Sequence, residues 1–373
     1  MVLQVMIFFT LFSLVYFGMH YYVYVHVANA LVLSASPRLL LRVTFLLFAL
    51  ASVSGMMLGK HLSSWATVLV SSLGMVWMGV MAIALSAFVL YDMFFLVVRV
   101  PSWHAPAAII TLAIIGITSI YSLYNGTRLP VTNQVHILVH KPSFAGKTLR
   151  IVQLSDLHID FSRSPHWLDA IVKRVNALNP DVVVLTGDII DADLCSYDRF
   201  CGSLRALRAA NGVYAVTGNH EFYAGIPAFL ELARHSNITV LRNEHRIVAD
   251  RVILAGIDDT MTIRRSGGKS DLANTLQGLD PSSLIILLSH QPDEFDAAQR
   301  QGVDVQLSGH THAGQIPPFD VMVRFYFRYP FGLYTTATSA LYTTCGTGTW
   351  GPPMRLFSRS EIVEIVLEGP QAS

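Results

Sequence analysis

Charged side chains are scarce in this chain. Asp, Glu, Lys and Arg make up 14% of its 373 residues, against about 25% in an ordinary soluble protein. The shortage is local. From Met1 to about Tyr124 the only full charges are Arg38, Arg42, Lys60, Asp92 and Arg99, whereas from Lys147 onward charge appears at ordinary density. Cysteine is scarce as well. Cys195, Cys201 and Cys345 are odd in number, widely spread and form no C-x-x-C pair, which argues against a disulfide framework and a thiolate metal site. No basic block interleaved with aromatics occurs, so a nucleic-acid-binding domain is set aside. The net charge of +1 adds nothing either way.

Long apolar runs take the place of charge in the first third. A membrane-spanning helix needs roughly 20 apolar residues, and four stretches qualify, at about 2–24, 39–58, 65–90 and 107–123. The first has no positive n-region and no small-residue cleavage site, so it reads as a span rather than a signal peptide. Pro106 stands just before the fourth, where proline is tolerated. A single helix from Ser64 to Val100 would be roughly 55 Å long at ~1.5 Å per residue. The expected reading is therefore a span ending near Asp92, then a short interfacial piece closed by Pro101. An intramembrane role for Asp92 in transport is the alternative. Four spans put both ends of this half on one side. Lys60, Arg128, Lys141 and Lys147 share that side, while Arg38, Arg42 and Arg99 lie opposite, which favours a cytoplasmic C-terminal domain. Residues 1–125 are thus expected to form an all-α transmembrane bundle, with the lipid bilayer as partner.

The remainder alternates between two periods. Val131–Val139 reads as a strand within a linker at 126–148. Leu149–Leu154 follows, leading into Asp156-Leu157-His158. Helical spacing at Trp167, Leu168, Ile171, Val172, Val175 and Leu178 stops at Asn179-Pro180. The apolar run Asp181–Thr186 suits a buried strand and ends in Gly187-Asp188-Ile189-Ile190-Asp191. A helix over Tyr197–Arg208 precedes the strand Gly212–Thr217, which ends in Gly218-Asn219-His220-Glu221. A helix over Pro227–His235 and strands at Ile238–Leu241 and Arg251–Gly256 come next. Ser283–Leu288 ends in His290, and Val303–Leu307 ends in Gly309-His310-Thr311-His312. Five apolar strands each end in a residue able to bind metal. In α/β folds sites gather at the C-terminal ends of strands, so these residues converge. The two histidines of H-x-H project to one side of an extended segment. Asp156, His158, Asp188, Asn219, His290, His310 and His312 together form a full set for a two-metal site.

The order D-x-H, G-D-x-x-D, G-N-H-E, a lone histidine after a strand, then G-H-x-H resembles the calcineurin-like metallophosphoesterase superfamily. The resemblance runs from about Val131 to Leu367 and does not cover the apolar first third. Tyr329–Tyr334 and Gly346–Arg355 are similar to a membrane-associated bacterial branch that includes small phosphodiesterases and a UDP-diacylglucosamine pyrophosphohydrolase of lipid A synthesis. The resemblance implies an α/β, four-layer sandwich of two mixed β-sheets flanked by helices, over residues 149–368, with 369–373 as a tail. It implies that Asp156, His158, Asp188 and His312 hold one divalent ion, and that Asp188, Asn219, His290 and His310 hold a second. Asp188 bridging the two would set them ~3.5–4 Å apart, with a hydroxide between them as in-line nucleophile. Neutral Asn219 leaves a small positive remainder to attract phosphate. Oxygen and nitrogen ligands without thiolate suit Mn, Fe or Zn.

By the same resemblance, His220 faces the phosphate as a catalytic group and Asp191 orients it. Arg163, Tyr223, Arg264 and Arg265 are candidates for binding the substrate. The expected activity is metal-dependent hydrolysis of a phosphodiester or pyrophosphate, on a membrane amphiphile such as a UDP-linked lipid or on another phosphorylated small molecule. The expected location is a bacterial inner membrane. Two other classes compete: a tethered enzyme for soluble diesters, and a transporter or sensor with a regulatory phosphoesterase-like domain. The latter calls for paired charges within the spans, for which only Asp92 and Arg42 offer themselves.

Overall fold

The computed structural model describes residues 2–58, 65–160, 163–191 and 198–371. Lys60 and Cys195 lie outside the described residues. In chain order the elements are α1 (Val2–Ala30), α2 (Ala35–Leu58), α3 (Trp65–Val97), α4 (His104–Thr127), β1 (Val131–Leu138), β2 (Thr148–Leu154), α5 (Pro165–Ala177), β3 (Val182–Leu185), α6 (Asp198–Arg205), β4 (Val213–Ala215), α7 (Asn219–Ala224), α8 (Ile226–His235), β5 (Thr239–Val240) and β6 (Glu244–Ala249). There follow β7 (Val252–Gly256), α9 (Thr260–Arg265), α10 (Leu272–Leu276), β8 (Leu284–Leu288), α11 (Phe295–Arg300), β9 (Val305–Ser308), α12 (Phe319–Tyr326), β10 (Gly332–Thr335), β11 (Ala340–Thr343) and β12 (Glu361–Glu368). The chain divides into two compact units, one of them 1–127 with 315–319 and 351–357, the other the remainder.

In the helical unit, α2, α3 and the segment 101–127 containing α4 are long and apolar enough to cross a membrane, among the described residues. Val23, Tyr24, Phe45, Met81, Phe88 and Ile115 form its apolar core. Small residues let α2 and α3 approach closely. A Cβ on Gly74 would lie 2.7 Å from the Ser52 backbone, and Ser52 Oγ donates to Gly74 O at 2.7 Å. The expected break after Asp92 does not occur, for α3 runs unbroken to Val97. The carboxylate needs no helix end because it is paired, half-exposed, with two side chains of α1. Tyr22 donates to Asp92 Oδ2 at 2.5 Å, and His26 Nε2 lies 3.2 Å from the same oxygen. Segments 315–319 and 351–357, far along the sequence, pack in this unit too. Ile316 and Met354 are buried with Ala82 and Ile83, and Asn125 Nδ2 donates to Arg355 O at 2.9 Å.

The second unit is a sandwich of two six-stranded mixed sheets, ordered β1-β12-β2-β3-β4-β5 and β10-β11-β9-β8-β7-β6. Strands β2 to β5 run parallel, as do β7, β8, β9 and β11. Side chains alternate across each strand, and the alternation builds four layers. From β3, Val182 and Val184 enter the core shared with the other sheet, while Val183 and Leu185 pack under Leu168, Ile171 and Phe229 of the flanking helices. From β8, Leu284, Ile286 and Leu288 join the shared core, while Ile285 and Leu287 meet Leu272, Leu276 and Ala298. Strands buried on both faces must be apolar throughout, which is why these runs lack alternation. Strand β1, within the expected linker, pairs in parallel with β12 at the edge of its sheet.

Candidate metal centre

The strands deliver their polar ends to one place. β2 leads to Asp156 and His158, β3 to Asp188, and β4 to Asn219 at the start of α7. From the other sheet, β8 leads to His290 and β9 to His310 and His312. The backbone bends sharply at these points. Asp156, His158, Asp188, His310 and His312 have φ of 53°, 47°, 51°, 72° and 52°, a left-handed region that non-glycine residues seldom occupy. Two glycines permit the crowding. A Cβ on Gly218 would lie 2.2 Å from Asp188 Oδ1, and one on Gly309 would lie 2.0 Å from Ser155 Oγ.

Among the described residues three groups of potential ligand atoms result, Asp156 with His158 and His312, Asp188 with His290 and His310, and His158 with Asp191 and His220, of which the first two hold the expected ligands. His158 Nε2 lies 3.0 Å from His312 Nε2, and His312 Nε2 lies 3.4 Å from Asp156 Oδ1. In the other group His290 Nε2 is 3.2 Å from Asp188 Oδ2 and 3.2 Å from His310 Nδ1. Asp188 Oδ2 is also 3.9 Å from His158 Nε2, so this carboxylate faces both groups. Imidazole nitrogens packed at hydrogen-bond distance from one another suit shared coordination of a cation. Asn219 supplies a further sign. Its Oδ1 is buried with no hydrogen-bond partner, and a buried amide oxygen left so is costly without a ligand to accept. The donor set fits two divalent cations.

Around the ligands stand groups that orient them. Asp191 Oδ1 lies 2.6 Å from His158 Nδ1 and 2.8 Å from His220 Nδ1. The carboxylate is hydrogen-bonded to His158 Nδ1, which fixes the proton there and leaves His158 Nε2 facing inward, whereas its contact with His220 Nδ1 is close but lacks hydrogen-bond geometry. His290 Nδ1 is held instead by the neutral carbonyl of Thr186 at 2.8 Å. Glu221, fully buried, accepts from the backbone N–H groups of Gly218, Asp188, Ile189 and Ile190 at 2.6, 2.9, 2.7 and 3.1 Å. It ties the G-D-x-x-D loop to the G-N-H-E loop. Sequence reading quoted this glutamate within its motif without giving it a task.

The charges respond to one another. Burial opposes ionisation of Asp191, yet the charge and hydrogen bond of His158, with His220 behind them, hold its carboxyl well below the usual range. Burial would lower His158, but Asp191, Asp188 and Asp156 push it up to about 9. His290 is likewise raised, against burial, chiefly by Asp188. His310 is lowered to about 4 by burial and by the neighbouring His290 charge. Burial, then the Asp188 charge, lifts Glu221 to about 7.

The sequence-derived substrate candidates are placed unequally. The Tyr223 ring lies 5.4 Å from the His220 ring, and Arg265 Nη1 donates to Tyr223 Oη at 3.3 Å. Arg163 braces a loop, its Nη2 donating to Thr349 O at 3.1 Å. The Arg264 guanidinium is paired with buried Glu294. Trp350, which the sequence reading did not single out, brings its ring within 6.2 Å of His220. Phe327 likewise sits 5.5 Å from His310, ring to ring.

Residues 149–314, which contain every expected ligand, match the family model described as calcineurin-like phosphoesterase. The chain is 37% identical over 274 residues to a transmembrane protein with metallophosphoesterase domain from Danio rerio, covering 70% of this chain and 62% of that protein, under two thirds of its length. It is 34% identical over 263 residues to an uncharacterized metallophosphoesterase of Campylobacter jejuni, covering 70% of this chain and 69% of that one. A solved dimetal phosphatase from Danio rerio aligns over 55% of this chain and 89% of its own at 17% identity, with a TM-score of 0.38. Likeness of this degree over more than two thirds of the Campylobacter protein settles the family: the chain belongs to the calcineurin-like phosphoesterases.

Proposed function

We propose that this metallophosphoesterase hydrolyses a phosphodiester or pyrophosphate bond in a membrane amphiphile, such as a nucleotide-linked lipid. The observation that carries the reading is His220. Its Nδ1 lies 2.8 Å from Asp191 Oδ1 and its Nε2 4.0 Å from Asp188 Oδ2, beside the carboxylate that faces both ligand groups. Asp156, His158, Asp188 and His312 would hold one divalent ion, and Asp188, Asn219, His290 and His310 the other. Ions there would polarise the phosphoryl group and activate water. His220 donates a proton from Nε2 to the leaving oxygen, and Asp191 stabilises the imidazolium that precedes the transfer. Tyr223 and Trp350 flank His220 and suit the body of the substrate, with Arg265 beside them for a second phosphate. The membrane-length helices in the same chain favour an amphiphile over a soluble ester. The charge distribution of the apolar third supports a cytoplasmic catalytic domain, and the sequence pattern of 329–355 a bacterial inner membrane.

The test is hydrolysis by the purified, Mn-loaded full-length protein of bis-p-nitrophenyl phosphate against a lipid-linked UDP pyrophosphate. Preference for the lipid, abolished in Asp188→Ala and in His220→Ala, is the expected result. Turnover of the soluble diester alone would overturn the amphiphile and leave a tethered phosphodiesterase.

A further inference from the structure

Helix α12 follows the H-x-H loop by seven residues, and its faces are unusual. Six of its eight residues are apolar. Asp320 and Arg324 stand four apart and share one face. The rest of the circumference carries half-buried Val323 and the exposed Phe319, Val321, Met322, Phe325 and Tyr326, with Phe325 at 88% and Tyr326 at 78%. None of the eight, all of them described, is buried. An amphipathic helix ordinarily turns its apolar stripe to a protein core. This one turns it outward.

We propose that α12 is an interfacial helix whose apolar face lies in a lipid surface. The chain carries the means of reaching one, since among the described residues three helices are long and apolar enough to span a bilayer. The segment that enters α12 belongs with those helices. Residues 315–319 pack in the helical unit, where Ile316 is buried against Ala82 and Ile83 of α3. Only Pro317 and Pro318 separate Ile316 from the first residue of α12. The composition fits a membrane interface better than a protein groove. Three aromatics and a methionine are exposed on the apolar face, and one of the aromatics, Tyr326, adds a polar tip to an apolar body. Cations flank the face rather than interrupt it. Arg324 lies over the Phe331 ring at 4.8 Å, and Arg328 pairs with Asp296.

The exit from the helix gives the placement its interest. Phe327, the next residue, packs edge-on against the His310 ring. A lipid surface holding α12 would therefore lie one residue along the chain from a side chain in contact with a metal ligand. This inference stands whether or not the substrate is itself a lipid.

The experiment uses the full-length protein, one copy per phosphatidylcholine–phosphatidylglycerol nanodisc, with Cys195 and Cys345 changed to alanine and buried Cys201 retained. Nitroxide labels are placed singly through Met322→Cys, Phe325→Cys, Tyr326→Cys and, on the polar face, Arg324→Cys. Collision with oxygen and with a water-soluble nickel chelate is measured by electron paramagnetic resonance. The expected result is a several-fold higher ratio of oxygen to nickel collisions at positions 322, 325 and 326 than at 324. Equal access of the nickel chelate to both faces would overturn the proposal, since the apolar face would then lie in water. Shielding of 322, 325 and 326 from both reagents would overturn it in favour of a covering protein surface. Three independent positions on the apolar face keep the test decisive if one variant fails to fold.

Discussion

The two halves of the metal centre use similar ligands but are held by different charges. Asp156, His158 and His312 are backed by the Asp191 carboxylate at 2.6 Å from His158 Nδ1. Asp188, His290 and His310 are backed by a neutral carbonyl, Thr186 O, at 2.8 Å from His290 Nδ1, and the amide oxygen of Asn219, buried without a hydrogen-bond partner, would be a further donor there. A carboxylate behind an imidazole makes it a stronger donor than a carbonyl does. The difference teaches that similar first ligands can make unequal sites. The half backed by Asp191 should bind its cation more tightly, and the other half should hold the more electrophilic one.

Removing the group that both halves share should have the largest effect. Asp188→Ala is expected to lower hydrolysis about 10³-fold, and elemental analysis of the purified protein should show both cations depleted. If one remained at full occupancy, the shared role of Asp188 would be wrong. The comparison itself is broken by Asp191→Asn, which should weaken metal binding in the first half about 10–100-fold. Stepwise Mn titration should then show the tighter of two binding events shifted and the weaker one in place. The converse change, Asn219→Asp, puts a third carboxylate into the electrophilic half. Roughly tenfold tighter binding there should come with slower turnover, because the added charge offsets the pull on phosphate. Faster turnover would discredit the charge argument.

Acid should weaken the first half through a proton. His158 is pushed up to about 9, so below that pH an arriving cation must displace a proton from it. Mn affinity should therefore rise with pH up to about 9, with protons released on binding, as calorimetry in buffers of different ionisation enthalpy would reveal. The smallest effect expected is that of Glu221→Gln. It keeps one acceptor oxygen for four backbone donors and should cost about 1–3 kcal/mol, read as a lower Tm of the catalytic unit.

The strands that carry the ligands were legible because burial on both faces forces a run such as Val182–Leu185 to be apolar, and a polar residue at its end then stands out. Strand β12 was not read as a strand. Glu361 and Glu364 make its sequence look solvent-facing, yet both are buried and satisfied, Glu361 by Thr344 Oγ1 just past β11 of the other sheet at 2.7 Å and Glu364 by Arg150 of neighbouring β2 at 3.0 Å. The continuation of α3 past Asp92 was hidden for a related reason, since the groups that pair with the acid, Tyr22 and His26, belong to α1. Glu221, Trp350 and Phe327 gain their places by contacts with residues distant in sequence, and no local pattern announces such contacts. The packing of 315–319 and 351–357 with the helices is of the same kind.

The left-handed backbone at Asp156, His158, Asp188, His310 and His312 has a consequence for engineering. Each such position costs on the order of 1 kcal/mol or more, and glycine would relieve it. A directed-evolution campaign that selects this protein for heat resistance alone would thus find these positions, alongside Val32, Arg251 and Ala313, among those where glycine relieves the backbone. Any such screen needs turnover as a second criterion in every round.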